Sequence, residues 1–292
     1  MAAYGNAVRI IRHRGEDVAW ELARHRPDPG LGPQVIAYTG YVETQGPVIR
    51  RREVASTVVP VIVNFGPDFR LLDRDDADAR GRCHGSFVAG LHDTWTLVES
   101  TGRSRCLQID FTPPGASRFL GLPIAELAGQ VVDLTDILGR EIALLVEQLR
   151  DMPDWDARFR LVDRYLARRM AHGSASALVS DHVWMRLGGH SDGIRIAGIA
   201  DELGCSHKHL ISRFREAFGM TPKTVARLLR FEKAVGLIES RTPTLADIAV
   251  DCGYYDQAHF HRDFRQFAGC TPTALRDRMV PEGGVIEVSP GR

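Results

Sequence analysis

At 292 residues, with 44% hydrophobic and 25% charged side chains, the chain has room for two domains and a sizeable core, and its composition excludes the disordered and fibrous classes. Lys+Arg and Asp+Glu both number 37, so bulk charge gives no reason for attraction to nucleic acid, and any such role must rest on local geometry. The five cysteines (Cys83, Cys106, Cys205, Cys252 and Cys270) are odd in number, widely spaced and never Cys-x-x-Cys, which argues against an oxidised framework or zinc ribbon and for a reducing compartment.

The stretch from Met1 to Ile11 lacks a signal-peptide pattern, and no run approaches ~20 apolar residues; a cytoplasmic protein with no membrane partner is expected. Between Gln34 and Phe111, short apolar and β-branched runs are punctuated by Gly, Pro and Asp. They are Val35 to Tyr38, Thr57 to Asn64, Phe69 to Leu72, Ser86 to Ala89, Trp95 to Glu99 and Cys106 to Phe111. Runs of this length and spacing predict strands of a small barrel or sandwich. A barrel of that size can hold a small ligand, and Tyr38, Phe65, Phe87, Trp95 and Phe111 are the candidate effector-lining residues, although strand aromatics more commonly serve as plain core. Cys83, His84 and His92 are ligand-type residues without a neighbouring acidic ligand or tight His-x-His pattern, so a polar turn is preferred and neither metal nor cofactor is expected. Phe111-Thr-Pro-Pro-Gly115 reads as a turn, because tandem prolines argue against a helix.

The period then changes. Ile142, Leu145, Val146 and Leu149 recur at helical spacing, and Trp155, Phe159, Val162, Leu166 and Met170 form a second stripe after Pro153-Asp154. Packing on the barrel is the default for these two helices; pairing with a second copy, a homodimer, is the alternative. Ala171 to Ala177, rich in small residues, is the candidate linker.

From Ile196 to Pro272 one pattern is written twice. Leu210, Phe214, Gly219 and Pro222 recur fifty residues later as Phe260, Phe264, Gly269 and Pro272, and His209 recurs as His259. Each copy reads as helix, tight turn, helix: Ile196 to Leu203, then Ser206 as N-cap of a helix to Phe218; Leu245 to Cys252, then Asp256 as N-cap of a helix through Phe267. Leu210, Phe214 and Phe218 face in, as do Phe260, Phe264 and Phe267, while His207, Lys208, Ile211, Ser212 and Arg215, and Gln257, Ala258, His261, Arg262 and Arg265, face out. A helix displaying Gln, His and Arg suits the DNA major groove, whereas a solvated polar face is the plain alternative for either copy alone. Thr221-Pro222 starts a joining helix to about Glu239, roughly 25 Å long against the ~34 Å between successive major grooves. Between Ser191 and Val280 there are 13 Lys+Arg against 11 Asp+Glu, a mild local excess.

Ile199-Ala-Asp-Glu-Leu-Gly-Cys-Ser-His-Lys-His-Leu210, Gly219-Met-Thr-Pro222, Arg230-Phe-Glu-Lys-Ala234, Asp247-Ile-Ala-Val-Asp-Cys-Gly-Tyr-Tyr-Asp-Gln-Ala-His-Phe260, Phe264-Arg265 and Gly269-Cys-Thr-Pro272 resemble the AraC/XylS family of bacterial transcription regulators over the last third of the chain. The resemblance implies two recognition helices in adjacent major grooves and an N-terminal, often cupin-like, domain for effector sensing or dimerisation. Carried over by position, the base-facing residues are Lys208, Ile211 and Ser212 in the first helix and Gln257, Ala258, His261 and Arg262 in the second, with Ser206, Arg213, Arg215 and Arg265 as phosphate contacts. The family often has Arg where Ser212 stands; here Arg comes one residue later, about 100° around the helix, so Arg213 is assigned to phosphate or packing.

The fold class is therefore α+β. Residues 1–120 form a β-rich cupin-like barrel, 121–174 a helical connector, 175–280 an all-α double helix-turn-helix domain, and 281–292 a Gly- and Pro-rich flexible tail. The expected function is sequence-specific DNA binding under the control of a small-molecule effector or of dimerisation, with RNA polymerase as a further partner of an activator. The alternative, a metal-dependent barrel enzyme fused to a helical module, needs ligands that these residues do not supply. An alkyl-accepting zinc-cysteine site is discarded, because Cys83 and Cys106 are too few and too far apart.

Overall fold

The computed structural model describes residues 7–16, 19–72, 81–171, 178–188, 196–240, 243–279 and 285–287. In its N-terminal half, strands β1 (Arg9–Arg14), β2 (Ala19–His25), β3 (Val35–Gln45), β4 (Ile49–Glu53), β5 (Val59–Asn64), β6 (Phe69–Leu72), β7 (Arg82–His84), β8 (Phe87–Ala89), β9 (Thr96–Ser100) and β10 (Arg105–Phe111) are followed by helix α1 (Pro113–Leu120). A short 3-10 turn at Ile124–Leu127, strand β11 (Val131–Asp133) and helices α2 (Leu134–Leu138), α3 (Arg140–Asp151) and α4 (Trp155–Ala171) complete that half. The C-terminal half consists of α5 (Leu178–Gly188), α6 (Ile196–Glu202), α7 (His207–Phe218), α8 (Pro222–Ser240), α9 (Leu245–Asp251), α10 (Gln257–Ala268), α11 (Pro272–Arg278) and strand β12 (Val285–Glu287). Among the described residues no helix is long and apolar enough to cross a membrane.

All six sequence-predicted strands are present, but they do not close into a barrel. They lie in two antiparallel sheets, ordered β1-β2-β3-β10-β5-β8-β11 and β12-β4-β9-β6-β7, which face one another as an open sandwich. Alternation along the strands gives the larger sheet two different faces. One looks into the sandwich, where Ile62, Phe87 and Cys106 pack with Tyr41, Phe69 and Leu71. The other is covered by α4: Trp155 lies so close over Gly40 that a Cβ there would meet its ring at 2.2 Å, and Phe159 stacks on Tyr38 with ring centroids 5.8 Å apart. The connector helix thus packs on the sheet, burying Trp155, Phe159, Val162, Leu166 and Met170.

Two expectations are corrected. Pro113 and Pro114 begin α1 instead of excluding a helix, because they occupy the first turn, where an amide N–H would have no intrahelical partner. Thr112 caps that turn, its Oγ1 accepting from Gly115 N at 3.2 Å. Within the tail expected to be flexible, Val285–Glu287 pairs antiparallel with Arg50–Arg52 of β4, adding a strand to the smaller sheet. Of the candidate linker, residues 172–177 lie outside the described residues.

The two halves share one hydrophobic core and are also hydrogen-bonded together. Glu232 on α8 accepts from Ser56 Oγ at 2.7 Å and Thr57 Oγ1 at 2.8 Å. Ala55 N donates to Phe267 O, and Arg52 Nη1 to Ala268 O, both at 2.8 Å. The left-handed glycines that end α7 and α10 both press on the sheet domain, Gly219 (φ +77°) against Ala128 and Gly269 (φ +66°) against the indole of Trp95. A side chain at either would meet a neighbour at 2.5 Å or closer, in a backbone conformation that disfavours it.

Candidate DNA-binding surface

Each of α7 and α10 is built to bury one face and present the other. In α7, Leu210, Phe214 and Phe218 are buried, with Trp184 of α5 stacked on Phe214 at 5.9 Å. In α10, Phe260, Phe264 and Phe267 are buried, and Phe231 of α8 meets Phe264 and Phe267 edge-on at 4.9 and 5.4 Å. The N-caps are the residues expected: Ser206 Oγ accepts from His209 N at 3.2 Å, and Asp256 Oδ1 from His259 N at 2.6 Å. Ser206 and Asp256 therefore fix where each helix starts and which side chains its first turn shows. The preceding helix of the second unit carries a capping box between Thr244 and Asp247.

On the outer face of α10, Gln257, Ala258, Arg262 and Arg265 are exposed, and His261 is half-buried with its ring against the edge of Phe260 at 6.1 Å. On α7, Lys208, Ser212, Arg213 and Arg215 are exposed and Ile211 is half-buried. The two faces differ in what holds their polar groups. Glu216 draws in both neighbours of the first helix, accepting from Ser212 Oγ at 3.0 Å and from Arg213 Nη1 at 3.4 Å. Arg213 is paired rather than packed, and a carboxylate stands beside the groups assigned to bases and phosphate.

Sequence reasoning missed Asp263, an acidic side chain of α10 that is fully buried. Its Oδ1 accepts from Nε and Nη2 of Arg227 on α8 at 3.2 and 2.6 Å. The Arg227 guanidinium also donates to Gln266 Oε1 at 2.8 Å and lies over the Phe267 ring at 4.9 Å. Gln266 reaches on to Asp93 Oδ2 of the sheet domain at 3.1 Å. The chain Asp263, Arg227, Gln266, Asp93 ties α10 to α8 and to the N-terminal half. The signal available in the sequence was an Asp at a position whose helical neighbours, Phe260, Phe264 and Phe267, all face in.

The five aromatic candidates for an effector pocket are scattered. Tyr38, Phe65 and Phe111 lie on the outer face of the sheet, against Phe159, Trp155 and Phe119 respectively. Trp95 sits at the contact between the halves, under the Arg52 guanidinium at 4.1 Å. Phe87 faces the sandwich interior. The interior also carries polar groups that were not singled out: Arg51 donates from Nη2 to Tyr41 Oη at 2.8 Å, and Gln108 Nε2 donates to Asp110 Oδ1 at 2.7 Å. Burial pushes the Asp110, Glu53 and Glu43 carboxyls up, with nearby Arg51 opposing this at both glutamates, and pushes the Cys106 thiol up to about 12. His84 and His92 are engaged with Asp133 and the Gly90 carbonyl, each at 3.0 Å, and among the described residues no cluster of His, Cys, Asp and Glu could hold a metal.

A family model described as "Helix-turn-helix domain" matches residues 199–278, and one described as "Domain of unknown function (DUF6597)" matches residues 23–133. The HTH-type transcriptional activator RhaR of Pectobacterium carotovorum subsp. carotovorum (strain PC1) is 28% identical over 149 residues, 51% of this chain and 47% of its own length. The xylose operon regulatory protein of Escherichia coli (strain K12) is 32% identical over 85 residues, 29% of this chain and 22% of its own. The chain thus spans about half the length, or less, of these curated relatives. Among solved structures, the C-terminal domain of AraT, a response regulator from Geobacillus stearothermophilus, is 25% identical with a TM-score of 0.34, covering 37% of this chain and 93% of that one. ToxT from Vibrio cholerae O395 is 12% identical with a TM-score of 0.43, covering 82% and 96%. Over its C-terminal pair of helix-turn-helix units, the chain is similar to AraC-type transcription regulators.

Proposed function

We propose that this protein is a sequence-specific, double-stranded DNA-binding transcription regulator. The observation that carries the reading is the pair of equivalent helices α7 and α10, each with a buried aromatic back and an exposed polar front, joined by α8 and footed on one sheet domain. In this reading Gln257, Ala258, His261 and Arg262 read base edges, helped by Lys208, Ile211 and Ser212, while Ser206, Arg213, Arg215 and Arg265 contact phosphate. Residues 175–280 are the DNA-binding domain, 1–120 the sensor and 121–174 the connector, and the protein acts in the cytoplasm. A small-molecule effector acts through the N-terminal half, shifting the equilibrium by its differential affinity for two arrangements of the readers. Leu144, exposed on α3, offers an apolar contact for a second copy, and RNA polymerase is the further partner if the regulator activates.

The test is a fluorescence anisotropy titration of the full chain on DNA from its own promoter region, with scrambled DNA of equal length, across a range of salt concentrations. Tighter binding to the promoter supports the reading; equal affinities at every salt concentration refute it.

A further inference from the structure

A cleft of about 440 Å³ opens on the outside of the sheet domain, away from the sandwich interior and from both recognition helices. The turn Pro29–Leu31 forms one side, and α1 and the last turns of α4 form the other. That volume suits a small organic molecule. Side chains of both charge signs line it: Asp28 and Asp163, and Arg118 and Arg164.

Three of these groups are held in place with bonding capacity left over. Asp163 Oδ1 accepts from the buried Tyr38 hydroxyl at 2.8 Å and from Asp28 N at 3.0 Å, and its Oδ2 takes no bond among the described residues. Asp28 spends Oδ1 on Gly30 N at 2.8 Å, leaving Oδ2. Arg118 donates from Nε to the Met170 carbonyl at 2.8 Å, which orients the guanidinium, and its Nη groups have no partner among the described residues. A guanidinium with open N–H groups suits a carboxylate, and carboxylate oxygens held by other donors suit an ammonium, because charge-assisted bonds between preorganised partners are the strong ones.

We propose that this cleft binds a small zwitterion, an α-amino acid or close analogue, with its carboxylate on Arg118 and its ammonium on Asp163 and Asp28. Met170 and Ala171, which end α4, form part of the wall. A carboxylate drawn onto the guanidinium that already clasps Met170 therefore reports occupancy to the end of the connector helix. That regulatory consequence rests on the transcription-regulator reading; the binding site itself does not.

The test is calorimetric titration of the full chain with a panel of proteinogenic L-amino acids, each compared with the corresponding amine and carboxylic acid alone, and with a neutral polyol. At least one amino acid binds, and its amine-only and acid-only counterparts bind about tenfold or more weakly. Arg118→Lys removes the planar fork but keeps the charge, and Asp163→Asn keeps an acceptor for Tyr38 and Asp28 but loses the charge. Each weakens binding about tenfold while thermal unfolding stays cooperative. No binding by any amino acid at millimolar concentration, binding of the polyol instead, or amino-acid affinity unmoved by both substitutions overturns the proposal. Promoter binding measured on the same preparation separates the two readings. Specific DNA binding without zwitterion binding removes only the site, and zwitterion binding without specific DNA binding upholds the site and removes the regulator.

Discussion

Removing the Arg227 guanidinium tests whether α10 is held in place by a buried charge. Asp263 has no exposed surface, and the imidazole Nε2 of His259 lies 4.0 Å from its Oδ2. Arg227→Met keeps the aliphatic stem against Phe267 but leaves the carboxylate buried with neither of its two N–H donors. Breaking a buried ion pair from one side costs about 3 to 5 kcal/mol. The Arg227 side chain is 23% exposed, so water can reach the vacated position and the lower end, ~3 kcal/mol, is expected. Urea unfolding followed by circular dichroism should show that loss, and Arg227→Met with Asp263→Leu should recover most of it, because no unpaired charge is then left inside. A loss below ~1 kcal/mol for the single substitution, or no recovery in the double, would refute the argument that this pair locks the second reader to α8.

On a cognate site, Arg262→Ala should cost ~1 to 3 kcal/mol and relax preference at one base position, read by anisotropy against DNA scanned base by base. Glu216→Gln releases Arg213 from its carboxylate; DNA affinity should rise, with the log-log salt slope steepening by about 0.9 if Arg213 then takes one phosphate. Glu232→Ala unseats the Ser56 and Thr57 hydroxyls and should cost ~1.5 to 3 kcal/mol for charge-assisted bonds, with faster proteolysis between the two halves. Asp110 has a folded pKa raised by burial, so its contribution to stability is full below its unfolded pKa and is lost as pH rises through the folded one. Asp110→Asn should therefore match the parent in acid and exceed it in melting temperature as pH rises, measured by thermal melts across that range.

Where apolar period and turn chemistry coincided, the structure was legible. The six strands, α3, α4, the Pro222 helix and both helix-turn-helix units could be read from the residues, along with the Ser206 and Asp256 caps. Strands β1, Arg-Ile-Ile-Arg-His-Arg, and β4, Ile-Arg-Arg-Arg-Glu, escaped because charge masks strand propensity when pairing and position, not burial of every second side chain, hold the strand. The aromatic candidates lie apart from one another for a different reason. A period of two tells which residues share a face but not which face looks inward, and here Tyr38 and Phe111 share the one that helices cover. Asp263 was hidden because its partner lies 36 residues upstream, on another helix.

The footing of both recognition helices on one domain has a consequence for operators. Gly219 and Gly269 rest on Ala128 and Trp95 of the same sheet domain, so the readers are two prongs of a single plug. One base pair inserted between two half-sites turns one against the other by roughly 35° about the duplex axis. A chain with a shared footing follows that rotation only by lifting a glycine off its seat. If α7 and α10 read two half-sites as proposed, the contacts that seat Gly219 and Gly269 would make the spacing between those half-sites matter to affinity.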